Sequence, residues 1–439
     1  MKNLKKITLL FILLILAACS TEDINETNQE IPQLKSTRSI REPIIVTLNT
    51  SGRKQWEKDV TAYFNPVNST YVALVPEGTN VSALLPKISI DANITYQPQG
   101  VQDFTEPVDY IIQIHGNIQK FKIEVKIGFT DYDILRAIYW ANSGNTLGWK
   151  ENLDDPNLGN WEGILTNSEG NIRSLYMYDA NLKVLPSEIG ELDDLEILNI
   201  SINQIKIPEE IGKLSNLRKL DAILCKLKTL PTEIGQLTNL THLHLFNNEL
   251  TAVPTGVFQL TQLQSLSISY NNIYTLPDQI FNLSDLKSLD FRGLNLSDIP
   301  SKITQLTNLK TLSLSDNNFE TIPKEILQLS QLDFLGLTSN NLNEIPVELS
   351  QLSQLRWLNL SRNNLTNIPK EIGQLSNLKY LDLSYNDLSS LPREIGQLNK
   401  LDNLRLSNNN LTIIDGSICN LELQGTTNID ILPGVLCQY

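Results

Sequence analysis

The chain has 439 residues, of which 19% are charged, and a formal net charge of -14 at pH 7. That length allows two or three ordinary domains. The acidic balance excludes a nucleic-acid partner, because no Lys/Arg stripe is present to neutralise phosphates, and it disfavours adhesion to anionic lipid.

Lys2, Lys5 and Lys6 form a positive start, Ile7 to Leu16 an apolar core, and Leu16-Ala17-Ala18-Cys19 a small-residue cleavage site. The core is about half as long as a bilayer-spanning helix, so residues 1–18 read as a signal sequence. The Leu-Ala-Ala-Cys stretch resembles the lipobox of bacterial lipoproteins. That resemblance implies acylation of Cys19 on sulfur and amino group, enough for a stable membrane anchor. Ser20-Thr21-Glu22-Asp23 resembles the surface-export signal of Bacteroidetes-type lipoproteins, which implies an outer-membrane lipoprotein exposed at the cell surface. Residues 19–40 are polar and show neither helix nor strand periodicity, so they read as a flexible tether.

Residues 41–128 read as all-β. Short apolar or alternating runs occur at Ile44–Leu48, Tyr71–Val75, Lys87–Ile90, Asn93–Tyr96, Val108–Ile114 and Lys120–Val125. Turn residues at Pro76-Glu77-Gly78-Thr79, Gln97-Pro98-Gln99-Gly100 and His115-Gly116-Asn117 separate several of them, the pattern of a small β-sandwich whose last two strands are a hairpin. His115 reads as an isolated turn residue. The run from Val75 to Val125 resembles an immunoglobulin-like module of Bacteroidetes surface lipoproteins, and the resemblance implies a spacer ahead of the functional domain.

Residues 129–171 change character. Ile134, Leu135, Ile138 and Tyr139 recur at helical spacing behind Thr130-Asp131, which suits a helix cap. Trp149, Trp161 and Gly163 follow in a Gly/Asn/Asp-rich stretch. Two explanations fit: a cap over the open end of a repeat array, which is preferred, or a ligand pocket lined by Trp140, Trp149 and Trp161. The D-x-x-I-L…GW…NW-x-G-I pattern resembles the N-terminal cap of plant-type leucine-rich repeat proteins.

From residue 172 one frame repeats, LxxLxLxxNxLxxIP. It restarts at Ile172, Leu195, Leu217, Leu240, Leu263, Leu286, Leu309, Leu332, Leu355, Leu378 and Leu401, in steps of 23 residues with a single step of 22. A period in the 20s sustained over this length is a solenoid signal. Positions 1, 4, 6, 11 and 14 are apolar and point inward, and positions 4 to 6 should form one short strand per copy, stacked in parallel at about 4.8 Å. Asn at position 9 (Asn203, Asn248, Asn271, Asn317, Asn340, Asn363, Asn386, Asn409) turns the chain inward and satisfies buried backbone groups. Proline at position 15 stiffens the next turn, and a short helical or 3₁₀ outer stretch follows. Ala180, Cys225 and Leu294 break the Asn rule. They predict weaker packing or a change of curvature, and Leu294 beside Gly293 is the expected place for an irregular bend. The frame resembles the leucine-rich repeat family. The fold class expected is therefore a small all-β immunoglobulin-like sandwich followed by an α/β leucine-rich repeat solenoid, a horseshoe with a parallel concave sheet. Residues 172–418 hold the eleven repeats and residues 419–439 a C-terminal cap, where Cys419 and Cys437 have the spacing for a disulfide. Cys225 reads as buried and free. No metal-ligand spacing is present.

What remains for recognition is the outward side of the strands, positions 3, 5, 7 and 8. The candidate binding residues there are Tyr176, Tyr178, His242, His244, Phe246, Tyr270, Phe334, Trp357, Tyr380, Tyr385, Arg362 and Arg405. Phe334, Trp357 and Tyr380 share position 3 in consecutive copies and should form a ladder about 5 Å apart, suited to a protein hot spot or a sugar-stacking face. His242 and His244 share one strand face with Asp221 beside them, and they read as a polar surface pair rather than a metal site. No HExxH, GxSxG, P-loop or dinucleotide fingerprint occurs, so neither catalysis nor a cofactor is expected. The reading is a non-enzymatic, lipid-anchored adhesion module that binds a protein, such as one on a host or neighbouring cell, on its concave face. The alternatives are a glycan-binding accessory of a polysaccharide-uptake system and a structural envelope protein.

Overall fold

The computed structural model describes residues 44–438 except 51–59, 66–69, 76–80, 90–93, 100–101, 115–116, 129, 143, 424–427 and 431–434. The expected signal sequence, Cys19, the expected tether and His115 lie outside the described residues.

Seven strands come first: β1 (Ile44–Thr50), β2 (Val60–Asn65), β3 (Thr70–Val75), β4 (Leu84–Ser89), β5 (Ile94–Gln97), β6 (Val108–Ile114) and β7 (Asn117–Ile127). Strand β2 is missing from the sequence reading, because its VTAYFN run follows the charged Glu57-Lys58-Asp59 and not a turn residue. The strands form one run in the order β4-β1-β2-β3-β7-β6-β5. Val60–Ala62 of β2 pair with β1 and Tyr63–Asn65 with β3. An isolated bridge between Leu84 and Gln102 ties β4, at one end of that order, to the segment after β5 at the other. The sandwich is thus a single sheet folded over a core of Tyr71, Ala73, Val75, Phe104, Tyr110, Ile112 and Ile123.

Helix α1 (Asp131–Ala141) begins where expected. Thr130 and Asp133 form a reciprocal capping box, the Thr130 N–H donating to Asp133 Oδ2 at 3.3 Å and the Asp133 N–H to Thr130 Oγ1 at 3.4 Å. Its Ile134, Leu135 and Ile138 join the core of the repeats. Its Ala137 and Ala141 pack with Trp140 against Val72 and Leu74 of β3. Every residue of β3 is consequently buried. The three tryptophans do not share a pocket. Trp149 and Trp161 are buried with ring centroids 5.5 Å apart, and their indole N–H groups donate to the Glu162 and Asp155 carbonyls at 2.8 and 3.0 Å. Trp140 lies on the sheet side of the helix under the Arg136 guanidinium.

Strand β8 (Ile164–Thr166) pairs antiparallel with β9 (Ile172–Tyr176) and covers the first edge of the concave sheet. Then come β10 (Ile197–Asn199), β11 (Lys219–Asp221), β12 (His242–His244), β13 (Ser265–Ser267), β14 (Ser288–Asp290), β15 (Thr311–Ser313), β16 (Phe334–Gly336), β17 (Trp357–Asn359), β18 (Tyr380–Asp382) and β19 (Asn403–Arg405). All are parallel and in register from copy to copy. They occupy positions 3 to 5, one residue earlier than the expected 4 to 6. The position-6 N–H still donates across to the next strand, as Leu245 does to the Ser267 carbonyl at 2.8 Å. Positions 1, 4, 6, 11 and 14 are buried as expected, in copy 5 as Leu263, Leu266, Ile268, Ile273 and Leu276, with Leu391 at position 14 of copy 10 only half-buried. Such residues contribute about 1.5–3 kcal/mol each. The outer stretches are 3₁₀ turns, most of them starting behind the proline, and they bury two further residues per copy that the frame did not flag, such as Ile372 and Leu375. Past β19 come β20 (Ile413–Asp415), helix α2 (Gly416–Leu423), β21 (Asn428–Asp430), which extends the sheet, and β22 (Leu436–Gln438), which pairs β20. Cys419 and Cys437 are disulfide-bonded.

The Asn ladder works through both ends of the amide. Asn271 Nδ2 donates to the Leu245 and Ile268 carbonyls at 2.9 and 2.8 Å, while its Oδ1 accepts the Leu250 N–H at 3.0 Å. Position 8 turns through the left-handed region in every copy, from Asp179 (φ 52) to Asn408 (φ 57), with Gly293 (φ 62) in copy 6. The breaks in the ladder produce no irregular bend, for β13, β14 and β15 stay in register through copy 6. The backbone absorbs them instead. In the three copies without Asn, and only there among the repeats, position 10 is also left-handed: Asn181 (φ 52), Lys226 (φ 56) and Asn295 (φ 56). In copies 3 and 6 this turn aims two N–H groups at one amide of the next copy. Asn248 Oδ1 accepts from Cys225 and Leu227, and Asn317 Oδ1 from Leu294 and Leu296, at 3.0–3.1 Å. The buried Cys225 thiol leans toward the Ile200 carbonyl (3.2 Å), and burial pushes its pKa up to about 11, so it is an inert thiol.

Candidate functional site

Strand residues alternate sides, so positions 3, 5 and 7 of each copy line the concave face while 4 and 6 fill the core. Parallel pairing in register then sets Phe334, Trp357 and Tyr380 side by side on β16, β17 and β18. The rings stack, Phe334 on Trp357 with centroids 6.1 Å apart at 25° and Trp357 on Tyr380 at 3.8 Å and 9°. The Arg405 guanidinium closes the far end, 5.5 Å from the Tyr380 ring. Exposure within the stack is uneven. Trp357 is 41% exposed, but Tyr380, expected on the surface, is only 7% exposed, since Trp357 and Arg405 cover its faces and its hydroxyl is engaged. That hydroxyl donates to Asp382 Oδ2 at 3.0 Å, and burial, then the Asp382 charge, push its pKa up.

Ring orientation decides what this wall can touch. The faces of Trp357 are turned to its two neighbours, so it offers an edge. Among the described residues Phe334 meets no ring besides Trp357, and its neighbour in register on the other side is Thr311. The Phe334 ring also lies over position 5 of its own strand, where a Cβ on Gly336 would come 3.1 Å from Cε1. The floor beyond it carries the half-buried hydroxyls of Thr311, Ser313, Ser288 and Ser265.

A second cluster lies four strands away. Phe246 and Tyr270 meet edge to face at 5.2 Å, with the Arg292 guanidinium 5.8 and 5.9 Å from their centroids. Arg292 is held by a two-pronged contact with Asp290, Nε–Oδ1 and Nη2–Oδ2 both 2.9 Å. The Tyr270 ring crosses copy 6 to donate its hydroxyl to Asp316 in copy 7. That crossing explains Gly293, since a Cβ there would lie 2.5 Å from Tyr270 Cδ1. Next to it, His244 Nδ1 donates to Asp221 Oδ1 at 2.7 Å, and Lys219 Nζ lies 2.8 Å from Asp221 Oδ2. Burial alone would raise the Asp221 pKa, but the His244 hydrogen bond and the Lys219 charge outweigh it and hold it below the usual range. Burial, with His244 and Lys219 nearby, lowers His242. The histidines are thus tied into a local network, and among the described residues no group of three metal-ligating side chains occurs.

Of the other candidates, Tyr178 (58% exposed) lies at position 7 of copy 1, just past the half-buried Tyr176 that ends β9, and Tyr385 (47% exposed) packs under Arg362 at 4.3 Å. The candidates therefore form two clusters and two separate pairs, Tyr176 with Tyr178 and Arg362 with Tyr385. Sequence reasoning passed over Asp290, Arg292, Asp316 and Asp382, which fix the rings. The available signal was an Asp at position 5 or 8 within one or two copies of an aromatic.

Models of known families match four stretches. Residues 346–425 match "Leucine-rich repeat region", residues 238–296 and 308–329 match "Leucine rich repeat", and residues 55–125 match "SGBP, N-terminal". A solved leucine-rich repeat protein of Leptospira interrogans is 37% identical, the alignment covering 60% of this chain and 79% of that one, with a TM-score of 0.47. The leucine-rich repeat ectodomain of the Arabidopsis receptor kinase HAESA, solved in complex with an IDA peptide hormone, is 26% identical, covering 70% and 53%, with a TM-score of 0.58. Phytosulfokine receptor 1 of Arabidopsis thaliana is 37% identical over 79 residues, 17% of this chain and only 8% of that receptor.

Proposed function

We propose that this chain, a member of the leucine-rich repeat family, is a non-catalytic glycan-binding accessory protein of the cell surface. One observation carries the reading: residues 55–125 match the N-terminal module of SGBP proteins, directly ahead of a concave face bearing stacked aromatics. By sequence alone a protein partner is preferred, and the module match favours glycan capture over it. In this reading the folded sheet is a spacer, residues 1–18 direct export, and acylated Cys19 holds the protein on the outer membrane. The concave face supplies what sugar binding needs. The Phe334 face away from Trp357 suits the C–H side of a pyranose ring, the Trp357 edge extends the apolar wall, and the hydroxyl floor offers donors and acceptors. Nothing is transferred or cleaved. The face positions a polymer and releases it.

A second reading keeps a peptide or protein ligand on the same face. The HAESA ectodomain was solved with a peptide hormone, and a strip of ring edges is also what a protein hot spot presents. A glycan array probed with the purified full chain and with Trp357→Ala separates the two. Glycan binding that weakens at least about tenfold in the variant supports capture. No retained glycan, together with a protein captured by the full chain and lost in Trp357→Ala, would replace it with the second reading.

A further inference from the structure

Resting on the glycan reading above, we infer that the polymer it takes is uncharged, a neutral polysaccharide and not a uronic-acid or sulfated one. The argument is charge pairing on the concave face. At positions 3, 5, 7 and 8 the basic side chains are Lys219, Arg292, Arg362 and Arg405. Lys219 is 2.8 Å from Asp221 and Arg292 is 2.9 Å from Asp290. Arg405 lies 3.9 Å from Asp382, and its strand sits in register between Asp382 on one side and Asp430 on the other. Arg362 covers the Tyr385 ring. Asp316 adds a negative charge, held by Tyr270. Three of the four cations on the face are thus matched by a carboxylate, Arg362 keeps its charge but lies against the Tyr385 ring, and along β18 to β21 the acids Asp382 and Asp430 outnumber Arg405. A carboxylated or sulfated polymer entering here would meet like charge with Arg362 as the one concave-face cation without a carboxylate partner among the described residues, on a chain whose formal net charge is -14. A neutral polyol loses nothing by the pairing. It meets hydroxyls, the Phe334 face and ring edges.

Contrary to the reading of the sequence as free of a Lys/Arg stripe, a basic row does occur, on the rim at position 2. There Arg173 and Arg218 lean on Glu196 and Arg356 on Asp333, while Lys287, Lys310 and Lys379 have no acid bonded to them among the described residues. Lys287 donates instead to Gln264 Oε1 at 3.0 Å. This row is where a polyanion would bind if one did, so it is the control.

The test is titration calorimetry of the full chain with laminarin and galactomannan as neutral probes, and polygalacturonate and dextran sulfate as anionic ones, at low and high salt. The expected result is binding to a neutral probe that changes less than about twofold with salt, because no ion pair is screened. It should weaken at least about tenfold in Phe334→Leu, which keeps apolar volume but loses the ring face, and stay unchanged in Lys310→Gln. Binding of an anionic probe that falls steeply with salt and is lost in Lys310→Gln would overturn the inference while leaving glycan capture standing. Binding of neither class by a folded chain would sink the glycan reading, and this inference with it.

Discussion

A left-handed turn at position 10 suits some side chains better than others. Copies 1 and 6 place Asn181 and Asn295 there, and asparagine tolerates that conformation, whereas copy 3 places Lys226 (φ 56). Lys226→Asn should therefore stabilise the protein by about 0.5–1 kcal/mol, read as a raised midpoint in urea at unchanged slope. Glu188 is a second strained residue. It is 5% exposed in the outer turn of copy 1, and burial, with Glu210 and Glu191 adding like charge, raises its pKa to about 7 against an ordinary 4.5. The folded state then binds a proton the unfolded state releases, so this group's stability is whole below about pH 4.5, declines as pH rises to about 7, and stays lost above. Glu188→Gln should match the parent near pH 4.5 and exceed it at pH 8 by on the order of 3 kcal/mol, measured by denaturant unfolding at the two pH values. Equal stabilities at pH 8 would mean the carboxylate finds water in place. Neither residue was legible in the chain. Glu188 occupies the same outer-stretch slot as Glu233 and Glu371, and only packing near α1 and the next copy separates a buried acid from a solvated one.

Helix α1 shows how one element serves two cores. Its Ile134, Leu135 and Ile138 were legible as an apolar stripe and cap the repeats. On the opposite stripe Trp140 suggested only a pocket and Ala137 and Ala141 gave no signal, because alanine is common on exposed helix faces, yet the stripe seats Val72 and Leu74 of β3. A Lys126–Asp133 ion pair at 2.9 Å sits beside the seam. The repeats could be read almost residue by residue, since a period repeated in copy after copy averages out local ambiguity. The β-sandwich was read less well, and β2 was lost, since each of its strands is met once. At the site, the Phe334–Trp357–Tyr380 ladder followed from register, but the burial of Tyr380 depends on the Asp382 and Arg405 contacts, which no single-chain pattern reveals. Small side chains let α1 approach the sheet, so Ala137→Glu, burying a carboxylate without a partner, should cost about 2–4 kcal/mol. The loss should appear as proteolytic cleavage between the sheet and the repeats, with the repeats' own core intact. Cleavage no faster than in the parent would show that the seam adds nothing to stability.

Across the whole molecule, stability is close to a sum of copies and the interfaces between neighbours. The ends are covered by α1, β8 and the Trp149–Trp161 pair on one side and by α2 with the Cys419–Cys437 bond on the other. Within such an array the breaks in the Asn ladder are not independent of the intact rungs. Where copy 6 lacks its own amide, Asn317 of copy 7 takes two N–H groups from it, those of Leu294 and Leu296, and still donates to the Phe291 and Leu314 carbonyls. Asn386, behind the intact Asn363, accepts only the Leu365 N–H while donating to Leu360 and Leu383. Replacing either by alanine leaves buried groups unsatisfied at roughly 1–3 kcal/mol each. Asn317→Ala strands one more than Asn386→Ala does, so it should be the more destabilising by about 1 kcal/mol or more, measured by urea unfolding of the two variants side by side. Equal losses would mean that water enters at copy 6 and takes the place of the missing acceptor.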